Sequence, residues 1–581
     1  MMKSPKIAFQ ILLVGFVVLA LGYSFVIPLG EAPDEVSHWA YIWVLVTRSQ
    51  LPQPEGEAVG EAHQPPLYYM LGALVSVWVP RAEFQIIANP DFAPGNSAIP
   101  NLLLHSRAES FPYRGVPLAW HLTRVLSTAL GAVTIWATWR IALEILPTEP
   151  WLALGAVSFV AFLPGFVTLS AVVNNDNLVI ALSHLGVWQL IRMMHAPRRV
   201  RDEILLGGIL GLALLAKLNA SALWIFAAIV LGWRAYQTRT WRNGALTFGW
   251  CFGIALALGS PWMFYNLRTY GDPLGWSLYQ VVGTLRPTPM TFNEWLVVIP
   301  QLVTSFWGRP GGMLNIHLPN ELYIALTVLA TVSLVGWVQF LRNAELDFAR
   351  RARRSLALFA AFWVPMLIVY VQWASNDYAP DQARRLFPGL GLLAIILVVG
   401  FTRPAGDRKH IALAVWISGF FTLTVGVLVY LHLSYAVVPQ NLARLEPLGG
   451  IGTPADFGGT IRIADFRVAP RRVIAGERIN VQVYWQAIQS PQENYWMSLQ
   501  LGGTEGAIAN QDGVPSAGRL TTDWWLQDQV FVSHHSITVP ADARAGKYTL
   551  RLGLHPYGKW EWLSVRGGDM LTLAGIEVIE Q

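Results

Sequence analysis

Long apolar runs separated by short polar connections dominate the first three quarters of the sequence. Runs of helix length lie at 7–27, 118–143, 151–173, 178–194, 204–217, 220–236, 244–262, 322–341, 355–372, 386–401 and 411–433. A helix needs roughly 20 residues to cross the hydrocarbon core, so these runs predict about 11 transmembrane helices, the shorter ones extended by their flanks. The 204–236 pair is one apolar block broken at Lys217-Leu218-Asn219, which reads as a tight turn. The segment 66–80 is a further apolar candidate and reads as an interfacial or half-inserted helix. After about residue 434 the pattern changes. A Pro/Gly-rich linker, 434–459, leads into alternating apolar positions at Ile479, Val481, Val483 and Trp485 and at Tyr548, Leu550, Leu552 and Leu554. Period two predicts half-buried strands. Breakers such as Pro540 to Gly546 separate them, and six or more such strands over 460–581 read as a β-sandwich.

Composition sharpens that picture. The 581 residues are 54% hydrophobic and 13% charged, with mean hydropathy +0.41. Soluble proteins carry about 25% charged residues, so this chain lacks the polar skin of a large cytosolic enzyme. The net charge of +5 is no sign of nucleic-acid binding, because in a membrane protein Lys and Arg act as orientation signals. With the N-terminus cytoplasmic, the inner connections hold 18 basic residues and the opposite ones, before the last span, hold ten. This asymmetry fits the positive-inside rule only if 66–80 does not cross. The expected chain is therefore multi-pass in the cell (plasma) membrane, with a cytoplasmic N-terminus and an extracytoplasmic C-terminal domain. The first run is too long for a signal-peptide core and reads as an anchor. The single cysteine, Cys251, excludes an intramolecular disulfide and a Cys-based zinc site. The expected domains are 1–433, a transmembrane body with large outer loops at 28–117 and 263–321, then the linker and the sandwich.

The outer loops hold the chemistry-bearing residues. Directly after the first run comes Gly30-Glu31-Ala32-Pro33-Asp34-Glu35-Val36-Ser37-His38, with Tyr41 further on. If a helix starts at Asp34, then Asp34, His38 and Tyr41 share one face. Acidic N-capping explains an Asp-Glu pair by itself; the conjunction with His38 favours function. The next motif, Glu61-Ala62-His63-Gln64-Pro65-Pro66-Leu67-Tyr68-Tyr69, has prolines that suit a helix start. His63 either faces the Asp34 cluster or serves as a structural hydrogen-bonder. In 263–321, Trp276, Trp295 and Trp307 beside Gly308, Gly311 and Gly312 suit a lid, although an interfacial aromatic belt explains them more simply. Asp523-Trp524-Trp525 and His534-His535 in the sandwich carry no assigned ligand.

These motifs, with Asn174-Asn175-Asp176-Asn177 and Gln382-Ala383-Arg384-Arg385-Leu386-Phe387-Pro388, resemble the GT-C membrane glycosyltransferases of the protein O-mannosyltransferase and aminoarabinose transferase type. The resemblance covers roughly residues 7–400 as an ordered series of individually weak motifs. The 81–117 segment is longer than in aminoarabinose transferases, and the sandwich resembles no sugar-binding module. The resemblance implies a GT-C-like body that transfers a sugar from a polyprenyl-phosphate donor to a protein, lipid or glycan acceptor on the outer face of the membrane. It implies Asp34 as catalytic base, with Glu35 beside it. Glu31, His38, His63 and Asp176 would shape the acceptor side. A lipid-phosphate leaving group needs positive charge in the transition state, which Arg384 and Arg385 would supply unless they only snorkel to the interface. Arg124 and Lys217 are further phosphate candidates, or neutralise nearby carboxylates. No cofactor is certain; a divalent metal at Glu31, Asp34, Asp176 or His63 stays open. The rival class, a transporter or lipid flippase, keeps its ionisable residues near the bilayer midplane, whereas these acids gather in outer loops. Eleven spans also exceed what a surface-adhesion anchor requires.

Overall fold

The computed structural model describes residues 4–53, 60–81, 84–93, 99–283, 285–343, 346–436, 439–450, 453–503, 506–516, 518 and 520–580. The chain divides into two compact units. One comprises Met1–Arg81 with Leu118–Leu433, the other Ala82–Pro117 with Ser434–Gln581.

The first unit is helical; the apolar runs coincide with helical segments, 151–173 with the two helices Pro150–Ala161 and Pro164–Ser170 and 386–401 with the 3₁₀ segment Ala383–Gly389 followed by Leu390–Thr402. Among the described residues, seven helices are long and apolar enough to cross a membrane, or eight if the bent pair Pro150–Ala161 and Pro164–Ser170 is one span. One of these stretches, Ala383–Tyr435, contains two of the runs. The protein is thus a polytopic helical membrane protein with a C-terminal sheet unit. Helix Pro5–Val26 illustrates why water cannot be its solvent. Phe9, Leu12, Phe16, Leu19 and Tyr23 recur at helical spacing on its buried side. Ile7, Ile11, Val14, Val18 and Phe25 lie bare on the other. A helix that is apolar on its exposed face as well as its buried one calls for lipid.

Residues 66–80 form only the ten-residue helix Leu67–Ser76. At 1.5 Å per residue this reaches about 15 Å, half the hydrocarbon thickness. Its Tyr68, Tyr69, Gly72 and Ser76 are buried, while Met70 and Leu74 are exposed. The Lys217 break is a one-turn 3₁₀ segment, Leu218–Ala220. In the 263–321 stretch, helix Phe292–Gly308 starts with a reciprocal capping box between Thr291 and Glu294. Trp307 is buried there, edge-on to Phe159, so its ring is part of the packing and not of a lid. Trp276 is exposed.

In the second unit, one sheet runs Arg472–Ile474, Leu571–Ile579, Gly546–Pro556, Tyr495–Gly503, Gly506–Gly513 in spatial order. The other runs Ala455–Phe457, Ile461–Ala469, Arg478–Ala487, Val530–Thr538. Residues of both sheets, among them Trp485, Leu499, Phe466 and Leu552, join one hydrophobic cluster. The alternation around Val481 and Leu552 is that inward-facing set.

Two boundaries differ from the sequence reading. Segment 82–117 belongs with the sheets rather than with the transmembrane body. The backbone carbonyl of His105 accepts from Thr521 Oγ1 at 2.7 Å and from Trp524 Nε1 at 3.0 Å, and Asp523 accepts from the Arg107 N–H at 2.8 Å. These bonds use Asp523 and Trp524, while Trp525 is buried on Phe531. The stretch expected to be linker also has structure. Strand Ala455–Phe457 pairs with Ile461–Ile463, and the N–H groups of Leu448, Gly449 and Gly450 converge on the Asp465 carboxylate. Residues 437–438 and 451–452 of that stretch lie outside the described residues.

Candidate active site

The first outer segment turns sharply at Asp34. Its backbone is left-handed, with φ 62° and ψ 4°, and helix Glu35–Arg48 begins one residue later. An L-residue in this region costs on the order of 1–3 kcal/mol and persists only where the surroundings impose it. Asp34 makes no side-chain capping bond to its helix, so N-capping does not explain it. Its carboxylate instead pairs with the Arg384 guanidinium. The Asp34 side chain is 38% exposed, so the carboxylate stays in reach of solvent while paired with Arg384.

Arg384 bridges two acids. Its Nε donates to Asp176 Oδ2 at 3.2 Å, and Lys217 Nζ donates to Asp176 Oδ1 at 2.7 Å. Asp34, Arg384, Asp176 and Lys217 thus form a row of alternating charge drawn from four distant parts of the sequence. Each is placed by a break in regular helix: the left-handed Asp34, the 3₁₀ segment Ala383–Gly389, the helix start at Asp176 and the turn at Lys217. Burial by itself raises the Asp34 carboxyl; Arg384 overrides it, aided by Arg385 and Lys217, and holds the group below its ordinary value. Asp34 is therefore ionised at neutral pH.

Arg385 points elsewhere than Arg384. Its guanidinium rests on the Trp373 ring, 3.5 Å from the centroid, with Nε 3.4 Å from Gln382 Oε1. A narrow cavity of about 50 Å³ opens beside Arg384, lined also by Pro33, Asn174, Arg309 and Phe387.

His38 and Tyr41 both meet Tyr69, as one helical face requires. His38 Nδ1 is 2.9 Å from the Tyr69 hydroxyl, and the Tyr41 and Tyr69 rings stack at 3.8 Å. Burial holds the His38 imidazole below its usual pKa. His63 accepts from the Gln64 amide at 2.9 Å and lies 4.7 Å, centroid to centroid, from the Tyr279 ring. Burial, with Arg385 and Lys217 adding, lowers it to about 3. Both histidines are neutral under ordinary conditions. Glu31 is buried just before the Asp34 turn.

Glu35 and Arg124 pair with each other. Arg124 donates to Glu35 through Nε and Nη2, each at 2.7 Å. Its Nη atoms also donate to the carbonyls of Ser24, Ile27 and Pro28. Glu35 further accepts from Trp120 Nε1, Gly30 N and Val173 N. Neither side chain is exposed. A carboxylate with five donors has no lone pair left for a substrate proton, and this guanidinium has no fork left for a phosphate. Glu35 and Arg124 are thus engaged with one another and with the backbone around the Asp34 turn, which is the carboxylate-neutralising alternative that the sequence left open for Arg124. Lys217, engaged by Asp176, likewise acts first on a carboxylate.

Several residues of the site went unassigned in the sequence. Glu61 joins Asp34 and His38, with one ligand atom from each lying within 4.8 Å of the others. Glu61 Oε2 is buried without a hydrogen-bond partner. This N/O set fits a hard or borderline divalent cation, which would supply Lewis-acid charge beside Asp34. Of the positions left open for a metal by the sequence, it includes Asp34 alone, and Asp176 is engaged by Lys217 and Arg384. Gln64 connects the histidine motif to Asn175, whose Nδ2 donates to Gln64 Oε1 at 3.3 Å. Glu61 and Gln64 flank His63 in its motif, and that proximity was the available signal.

Comparison with known proteins bears on this arrangement. Residues 120–265, about a quarter of the chain, match the family model described as dolichyl-phosphate-mannose-protein mannosyltransferase. The chain resembles the GT-C membrane glycosyltransferases. The matched part carries Arg124, Asp176 and Lys217. Among solved structures, ArnT from Cupriavidus metallidurans bound to undecaprenyl phosphate is 14% identical, with TM-score 0.42 and coverage of 70% of this chain and 63% of that one. The apo form of ArnT gives 13% identity, TM-score 0.41 and the same coverages. The C-terminal domain of wzt is 14% identical over 24% of this chain and 90% of its own, with TM-score 0.19. The chain thus spans less than two thirds of the ArnT chains it matches. A search of curated proteins finds none that matches.

Proposed function

We propose that this protein is an integral membrane glycosyltransferase that moves a sugar from a polyprenyl-phosphate donor to an acceptor hydroxyl on the outer face of the membrane. The observation that carries the reading is the Arg384 guanidinium joining Asp34 to Asp176 at the rim of the body. In the same reading the eleven helical runs are eleven crossings of the plasma membrane, with a cytoplasmic N-terminus. The sheet unit is then an extracytoplasmic β-sandwich. The acceptor belongs to a protein, a lipid or a glycan.

The chemistry follows from the charges. The acceptor oxygen forms a bond to the sugar's anomeric carbon from the side opposite the phosphate, so configuration inverts. Its proton passes to Asp34, and the bond from the anomeric carbon to the phosphate oxygen breaks with its electrons leaving on the lipid phosphate. Asp34 is ionised before the reaction and therefore able to accept a proton. Arg384 moves its second fork from Asp34 to the leaving phosphate, where charge develops. That exchange removes the cation from Asp34 and raises its basicity at the moment it is needed. Asp176 and Lys217 keep Arg384 oriented, and Arg385, held on Trp373, adds positive charge. His38 and His63, both neutral, line the acceptor side.

The test incubates purified protein with radiolabelled polyprenyl-phosphate sugars and membrane acceptors. Donor-dependent labelling of an acceptor supports the reading. Donor-independent movement of lipid or solute, without labelling, replaces it with a transporter.

A further inference from the structure

The second unit carries a groove of about 600 Å³ that the proposed transfer reaction does not use. Its walls come from strands Tyr495–Gly503 and Gly506–Gly513, the end of strand Gly546–Pro556 with the turn that follows, and Gln85 and Ile86. Aromatic faces dominate it. Trp496 and Tyr557 lie 5.1 Å apart, centroid to centroid. Trp560 stacks at 5.2 Å on His555 and remains 78% exposed. So bare an indole on a turn contributes little to folding.

Two polar atoms in the lining lack partners. His555 is 4% exposed; its Nδ1 faces the carbonyls of Lys559 at 2.7 Å and Pro556 at 3.1 Å. Carbonyls only accept, so Nδ1 carries the proton and Nε2 is left as a bare acceptor. Nε2 is buried with no hydrogen-bond partner. Asp512 accepts from Asn510 at one oxygen, and its other oxygen, Oδ1, is buried and unpartnered as well. Burying such acceptors unpaired is costly, and each calls for a donor.

This combination selects a ligand class. Both orphan atoms accept hydrogen bonds, so the ligand must donate. Asp512 repels an anion, and the one lysine in the lining, Lys559, is paired with Glu493 at 2.9 Å. A phosphate or an acidic peptide is therefore disfavoured. Aromatic faces flanking hydroxyl-seeking acceptors match a neutral sugar, whose C–H face lies on an indole while its hydroxyls donate outward. We infer that the Trp496–Tyr557–Trp560 groove, with His555 and Asp512 as acceptors, binds a neutral oligosaccharide. The site is separate from the Asp34 centre and does not depend on the transferase reading.

The experiment titrates the detergent-solubilised full chain with cellohexaose, maltohexaose and mannohexaose by isothermal titration calorimetry. At least one of the three is expected to bind. Trp560→Ala and Asp512→Ala should each weaken binding by about tenfold or more, whereas Asp34→Asn should leave it unchanged, which separates this groove from the catalytic centre. Because Trp560 is so exposed, its variant should melt with the wild type, and loss of binding is then not loss of fold. The inference is overturned if none of the three binds, if both groove variants bind as the wild type does, or if Trp560 proves to be required for adsorption to neutral phosphatidylcholine vesicles and not for sugar binding.

Discussion

Glu35 and Arg124 close a two-bond ion pair with no exposed surface on either side chain. Removing one partner of such a pair strands a buried charge, which costs about 3–5 kcal/mol. Arg124→Leu should therefore lower the melting temperature of the detergent-solubilised protein sharply and lose activity through unfolding. Differential scanning fluorimetry separates this from a catalytic lesion. An Arg124→Leu protein with wild-type melting and no transfer would return Arg124 to the phosphate-binding role.

Arg384→Lys keeps the charge at the rim but cannot fork between two groups. Transfer should fall by about 10²–10³-fold, the scale of losing one donor to developing charge, with a small change in melting. Initial rates at saturating donor check this.

Helices Asn320–Asn343 and Leu390–Thr402 touch through backbone. A Cβ added at Gly400 would stand 1.8 Å from the Ser333 carbonyl oxygen, and one at Gly336 would stand 2.0 Å from that of Gly400. Small residues permit this approach between membrane helices. Gly400→Ala should destabilise the fold by several kcal/mol, beyond the usual 1–3 of an overpacked core, about one such increment for each helix displaced. Gly419→Ala, where nothing lies within 4 Å, should melt like the wild type. Equal melting of the two variants would contradict the backbone contact.

Burial keeps His535 neutral, lowering its pKa to about 4 although the Pro515 carbonyl opposes the shift. The unfolded chain binds a proton near pH 6.5, so the folded unit loses stability as the pH falls from about 6.5 toward 4, by at most about 1.4 kcal/mol per pH unit. His535→Gln should flatten that slope in tryptophan-fluorescence melts of the full chain taken at successive pH values.

How far the sequence carried this picture depends on the range of each interaction. The helices are written in local hydropathy, and Pro65-Pro66 marks the start of the short Leu67–Ser76 helix. Scarcity of charge made Asp34, Asp176, Lys217 and Arg384 stand out, yet their convergence is not local: Arg384 reaches Asp34 across 350 positions. Nothing in the spacing of Glu35 and Arg124 reveals that their fields cancel, so both resembled chemistry. The docking of 82–117 onto the sheets rests on single bonds to backbone carbonyls such as that of His105, which leave no compositional trace. Glu61 was in view inside its motif but lacked a partner until His38 and Asp34 came within reach of it.

The central claim is that Asp34 takes the acceptor proton, and one comparison tests it most directly. Asp34→Asn is nearly isosteric, and the side chain is 38% exposed, so the variant should melt close to the wild type. Its rate of sugar transfer from a polyprenyl-phosphate donor should fall by about 10²–10⁴-fold, the contribution of a positioned base. A folded Asp34→Asn protein that transfers sugar at the wild-type rate would contradict the account.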